Sequence, residues 1–206
     1  MEVGADKDKS LKGGATLLLI AAGNGHIDVV RHLVEVGADK DQPNNEGATP
    51  LYIAAQNDHL DVVRFLAEVG ADKDQANNEG ATPLISAAQN EHLDVIRYLV
   101  EVGADKDKSL NSGTTPLLIA ARKGHIDVVR HLVEVGADKN LADNLGATPL
   151  YIAARYGHID VVCHLVEVGA DKDQANNEGA TPLYIAAQND HLDVVRYLVE
   201  VGADKD

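Results

Sequence analysis

The chain has 206 residues, but among them there is no Trp, a single Phe and six Tyr, so aromatics make up only 3%. A core must therefore be built from Ala, Val, Leu and Ile, which suit thin packed layers better than one large globule. No apolar run approaches the roughly 18 residues needed to cross a bilayer. The first twelve residues are mostly charged or small and do not read as a secretory signal. The one cysteine, Cys163, has no internal disulfide partner, which predicts a reducing, cytoplasmic setting. Cations are also scarce: 18 Lys and Arg stand against 33 Asp and Glu, for a net charge of −15. That balance opposes phosphate backbones and anionic lipids, so neither nucleic acid nor a membrane surface is an expected partner; a basic or polar protein is. Four serines occur, none in a GxSxG setting, and no glycine loop could cradle a phosphate. Neither catalysis nor a cofactor is expected.

What the chain does have is repetition. The heptapeptide EVGADKD begins at Glu2, Glu35, Glu68, Glu101, Glu167 and Glu200, with the variant EVGADKN at Glu134, each copy 33 residues after the last. Thr16, Thr49, Thr82, Thr115, Thr148 and Thr181 fall in one column with no insertion or deletion between them. A fixed period of this length marks a solenoid or array of supersecondary units.

Residues 44–76, NNEGATPLYIAAQNDHLDVVRFLAEVGADKDQA, stand for the rest. Thr49 then Pro50 predicts a helix start, because the hydroxyl can accept a free backbone N–H and proline loses nothing at the first helical position. That helix is expected to reach about Gln56, with Ala54 and Ala55 small enough for close helix approach. A second helix is expected from Leu60, with Asp61 complementing its dipole. Val62, Val63 and Leu66 share one face of it, and Gly70 ends it. From Ala71 to Gly80 the helical period is lost, which reads as a protruding loop or β-hairpin. Helices this short are marginal alone, so each copy must bury its aliphatic face against its neighbours.

The segment GATPLYIAAQNDHLDVVRFLAEVGAD resembles an ankyrin repeat, and the likeness extends from about Leu11 onward, with five copies of TPL and six paired alanines. The resemblance implies an all-α repeat solenoid of helix-turn-helix units with hairpin or loop fingers. The whole chain, 1–206, would form one domain of copies at about 11–43, 44–76, 77–109, 110–142, 143–175 and 176–206, preceded by a partial copy at 1–10. It further implies a concave face of fingers and first helices that binds a partner protein. Two departures stand out. The family's usual histidine after TPL is replaced by Tyr52, Ile85, Leu118, Tyr151 and Tyr184, so its hydrogen bonds are lost or rebuilt. The glycine of the turn between helices, kept at Gly25, Gly124 and Gly157, becomes Asp58, Glu91 and Asp190, where a positive φ is least comfortable for Glu91.

Two patterns invite a metal hypothesis. His26, His59, His92, His125, His158 and His191 recur once per copy, just before the second helix, which marks a cap or packing element and not a ligand set. His32, His131 and His164 alternate with Phe65, Tyr98 and Tyr197, which points to ring packing. The DKDQANNEG loops lack the glycine and terminal glutamate of a calcium loop. Their lysines, such as Lys40, Lys73 and Lys106, are expected to form a solvated charge ladder with the aspartates. No metal site is expected. Cys163, standing where other copies carry arginine, reads as a changed surface position.

Differences between near-identical copies are not dictated by packing and therefore bear on binding. The fourth and fifth copies carry Arg122, Lys123, Arg155 and Tyr156 where others have Gln and Asn, and Lys108, Leu141 and Leu145 where others have Gln or Glu. These seven residues are expected to form a basic, partly apolar patch, the candidate partner site. The end copies look internal, since Leu17 replaces the helix-start proline and Val194, Val195 and Leu198 are unchanged. Uncapped ends predict head-to-tail self-association. They also support an alternative role, a stretch of a longer natural or engineered consensus array that spaces or self-assembles without a dedicated ligand.

Overall fold

The computed structural model of the chain describes residues 11–204, so the partial copy at 1–10 lies outside the described residues. The chain divides into two compact units, residues 1–105 and 106–206. The first holds α1 (Leu17–Gly23), α2 (Ile27–Glu35), α3 (Pro50–Gln56), α4 (Leu60–Glu68), α5 (Pro83–Gln89) and α6 (Leu93–Glu101). The second holds α7 (Pro116–Lys123), α8 (Ile126–Glu134), α9 (Pro149–Tyr156), α10 (Ile159–Glu167), α11 (Pro182–Gln188) and α12 (Leu192–Glu200). Both are all-α repeat stacks. Within each unit a helix packs on its own partner and on its equivalents in neighbouring copies, and the first helices touch one another over more of their length than the second helices do.

The cause of that close approach is the alanine pair. Ala54, Ala55, Ala153 and Ala154 have no exposed surface, and Leu51, Leu66, Leu150 and Leu165 fill the layer between helices equally completely. Each first helix starts as its sequence predicts. Thr49 Oγ1 accepts the Tyr52 N–H at 3.1 Å and Thr148 Oγ1 the Tyr151 N–H at 3.2 Å, with proline at the first helical position in both. One residue breaks the layer's chemistry. Ser86 occupies the column of Ile53 and Ile119, and its buried hydroxyl finds no hydrogen-bond partner.

The fingers are loops, since no strand occurs among the described residues. Asparagine does the work a ladder would otherwise do. Asn77 Oδ1 accepts the N–H groups of Glu79 and Ala81, closing the turn on itself. Asn78 reaches back to the previous finger, its backbone N–H donating to the Glu46 carbonyl and its amide to the Asn45 carbonyl, both at 3.0 Å. Asn177 repeats this in the second unit on the carbonyls of Leu145 and Asn144.

The loop aspartates hold the copies together as well. Asp41 Oδ1 accepts the Asp72 N–H, Asp74 that of Asp105, Asp107 that of Asp138, and Asp173 that of Asp204. Solvated lysine pairs were the expectation for these loops. Lys40 and Lys172 do pair with the adjacent Asp41 and Asp173, but the bonds that cross between copies run from carboxylate to backbone.

The histidine column is a second tie, and it is not a cap. None of these side chains bonds its own helix start. Instead, Nε2 of His59, His92, His158 and His191 lies 2.9–3.0 Å from the carbonyl of Gly23, Gln56, Arg122 and Arg155, each on the preceding first helix. A carbonyl only accepts, so Nε2 carries the proton and donates. The turn before each histidine has positive φ whichever residue occupies it: 63° at Asp58 and Glu91, 61° at Asp190, 73° at Gly157.

Candidate functional site

The C-terminal ends of α7 and α9 are fixed from behind. His158 takes the carbonyl of Arg122 and His191 that of Arg155, so the backbone carrying these side chains is pinned by the next copy. The guanidinium groups of Arg122 and Arg155 and the ammonium group of Lys123 all project to the surface, favourably placed at the negative ends of their helix dipoles. Among the described residues none of the three enters an ion pair or a side-chain hydrogen bond. Other cations are engaged: Arg31 lies over the Phe65 ring at 4.6 Å and Arg64 over the Tyr98 ring at 4.7 Å. Cys163 occupies that same arginine column. It therefore forfeits the ring contact, while the Tyr197 hydroxyl donates to its carbonyl at 3.5 Å as Tyr98 does to the Arg64 carbonyl at 3.4 Å. Burial, with Glu167 adding to it, pushes the Cys163 thiol up from its ordinary value, which leaves it a poor nucleophile.

An open groove of about 530 Å³ lies between the fingers and the first helices of the second unit. Leu145 and the loop from Asn176 to Ala180 form one wall; Tyr151 and Arg155 of α9 with Tyr184, Ile185 and Gln188 of α11 form the other. Leu145 is 68% exposed and Tyr184 59%, an unusual amount of uncovered apolar surface for one small region. Tyr151 is buried, and its hydroxyl accepts from Asn176 Nδ2 at 3.3 Å. Burial raises the Tyr151 phenol above its ordinary value while the Arg155 guanidinium works against that rise.

Of the seven residues singled out by sequence, Leu145 and Arg155 share this groove. Arg122 occupies the equivalent position to Arg155 one copy earlier, on the packed neighbour α7. Tyr156 turns away from the groove, its ring stacked on His158 with centroids 6.4 Å apart. Lys123 shares the column of Tyr156, and Lys108 and Leu141 occupy equivalent positions in successive loops outside the groove lining. Tyr151, Tyr184 and Asn176 were missed. The available signal was the tyrosine standing in the column after TPL, whose hydrogen bond is rebuilt at Tyr151 through Asn176.

The family model for ankyrin repeats, in sets of 3 copies, matches residues 1–77, 69–143 and 135–206, and together these matches span the chain. The protein belongs to the ankyrin-repeat family. Ankyrin repeats are generally protein–protein interaction modules and typically non-catalytic. A comparison with curated proteins returned no match. Among the described residues of this ankyrin-repeat chain, no helix is long and apolar enough to cross a membrane, and no three His, Cys, Asp or Glu side chains gather as a metal site would require.

Proposed function

We propose that this ankyrin-repeat protein is a non-catalytic scaffold that captures a partner protein on the face made by the first helices and finger tips of its second unit. Arg155, Leu145, Tyr151 and Tyr184 form the centre, with Arg122 and Lys123 extending it along α7. The observation that carries this reading is the pairing of uncommitted cations with exposed Leu145 and Tyr184, in a chain of net charge −15. Arginine and tyrosine on a pre-formed surface are the side chains most often found at the energetic centre of an interface, because they combine contact area with directed hydrogen bonds. Lys108, Leu141 and Tyr156 belong to its rim. A reducing, intracellular setting suits the lone Cys163.

The test is affinity capture from native extract with quantitative mass spectrometry, comparing the wild-type chain with the double variant Arg122→Glu, Arg155→Glu. A partner bound at this face is expected to be lost from the double variant, on the order of 100-fold in affinity for two reversed contacts. Equal recovery of every captured protein by both chains would remove this face from consideration.

A further inference from the structure

In the fourth and fifth copies the finger and helix-end columns change sign. Where other fingers carry Glu46, Glu79 and Glu178, these two carry Ser112 and Leu145; where other turns carry Asp58, Glu91 and Asp190, they carry Gly124 and Gly157. Each thus lacks two exposed carboxylates, and at the helix end between those positions it gains Arg122 with Lys123, or Arg155. The adjoining loop columns follow: Lys108 stands where Gln42 and Gln75 do, and Asn140 where Asp41 and Asp74 do. One change runs the other way, since Asp143 replaces Asn77, but its Oδ1 is taken by the N–H groups of Leu145 and Ala147 at 2.9 and 3.0 Å. The fifth copy is interior, with α9 packed between α7 and α11. Several columns, separate in sequence, therefore shift toward positive charge in the same two copies.

We propose that this face selects an acidic segment of its partner, against the chain's net charge of −15; the inference rests on the second unit being the partner-binding face. Arg122 and Arg155 occupy equivalent positions on packed neighbours, and helices that meet through small side chains lie about 8 to 10 Å apart. Their backbone is held, because both carbonyls accept from the imidazoles of the following copy at 3.0 Å. Two carboxylates with a similar spacing match them. A polyproline-type segment offers one every third residue, about 9.3 Å along its axis. Leu145, 68% exposed in the same groove as Arg155, takes an apolar side chain beside the carboxylates. Toward α11 the sign reverts at Glu178 and Asp190, so the acidic stretch covers the fourth and fifth copies and stops short of the sixth. Exposed charges farther off than about 8 Å are largely screened at physiological ionic strength, so the local columns, and not the whole-chain sum, set the preference.

Fluorescence anisotropy of the full chain with labelled peptides of repeating Glu-Leu-Pro, Gln-Leu-Pro and Lys-Leu-Pro tests this. The Glu peptide is expected to bind about 10-fold more tightly than the Gln peptide, the sum of two exposed charge pairs, and the Lys peptide most weakly. Added salt should shrink the difference. Arg122→Gln with Arg155→Gln is expected to abolish the difference between Glu and Gln peptides, and Lys40→Gln in the first unit to leave it unchanged; circular dichroism verifies that both variants fold. Leu145→Ser, which copies Ser112, keeps the cations and is expected to weaken the Glu and Gln peptides alike. The proposal is overturned by equal binding of those two peptides, by a preference for the Lys peptide, by a preference for Glu that survives the loss of both arginines, or by no binding of any peptide up to millimolar concentration. Binding that ignores charge but still falls with Leu145→Ser removes the acidic selectivity and keeps the face; binding indifferent to Leu145 and to both arginines removes the face as well.

Discussion

Glu91 holds a φ of 63° and carries a β-carbon into a region that suits glycine. Its equivalents resolve the same demand in different ways. Gly157 adopts 73° without penalty, and a β-carbon there would stand 2.5 Å from the Nδ1 of His191. Asp58 accepts the strain but sets its carboxylate 3.7 Å from the Nδ1 of His92, a partial return. The same positive φ recurs in this turn in all six copies, with or without a histidine packed against it, so the path between the two helices sets the geometry and the residue in the turn adapts to it. Asp190→Gly, at a φ of 61° in the same turn, is expected to stabilise the protein by about 0.5 kcal/mol, the left-handed penalty removed less the extra entropy glycine gives the unfolded chain. Gly157→Ala is expected to destabilise it by about 1 to 2 kcal/mol, since it adds that penalty and displaces the imidazole. Urea unfolding of both variants measures the pair; changes of the same sign in both would show that this turn is not under the control of backbone conformation.

The loops between copies act as elements in their own right, joined carboxylate to backbone. Asp173 is the clearest case: the Asp204 N–H at 2.7 Å, and then Lys172 at 3.0 Å, hold its carboxyl below the ordinary 3.8. A depressed folded value means that this group's contribution is complete above the unfolded value and fades as pH falls through the folded one, so the loss is confined to acid below about pH 4. Asn140 stands in the same column and accepts the Asp171 N–H at 2.9 Å with a neutral amide. Asp173→Asn is therefore expected to keep the bond at neutral pH and to show a shallower fall in thermal midpoint below about pH 4 than the wild type. Asp173→Ala should lose stability at neutral pH as well; equal acid slopes for wild type and Asp173→Asn would refute the assignment.

Such ties explain what could be read in advance. Thr49, Pro50, the alanine pairs and Gly70 each act within a few residues of themselves, so the helices were legible from the sequence. The acceptor for His59 lies 36 residues back and that for Asn78 lies 33 back, so a cap was as plausible as a tie and a hairpin as plausible as a loop. Arg122 and Arg155 showed themselves by departing from their columns. Tyr151 and Tyr184 recur like framework residues, and only the groove's geometry sets them beside Arg155.

At the scale of the whole molecule, stability resides between copies more than within them. A copy of 33 residues contributes helices of 7 or 8 and 9 residues, short of the roughly 12 to 15 at which an isolated helix is marginal in water. Fixing its backbone costs about 1 to 2 kcal/mol per residue, tens of kcal/mol in all. Against this a lone copy sets only the contact between its own two helices, and it loses the neighbours that bury Leu51, Ala54 and Ala55, the carbonyl that receives His59, and the carboxylate that receives the Asp72 N–H. Every one of those partners belongs to an adjacent copy. A peptide of residues 44–76 is accordingly expected to give a disordered circular dichroism spectrum with no thermal transition, while the 206-residue chain unfolds cooperatively. Leu66→Ala in the full chain should cost about 2 to 5 kcal/mol, the range for a leucine removed from a closed core. A sigmoidal melt from the isolated peptide would place the stabilising contacts inside the copy.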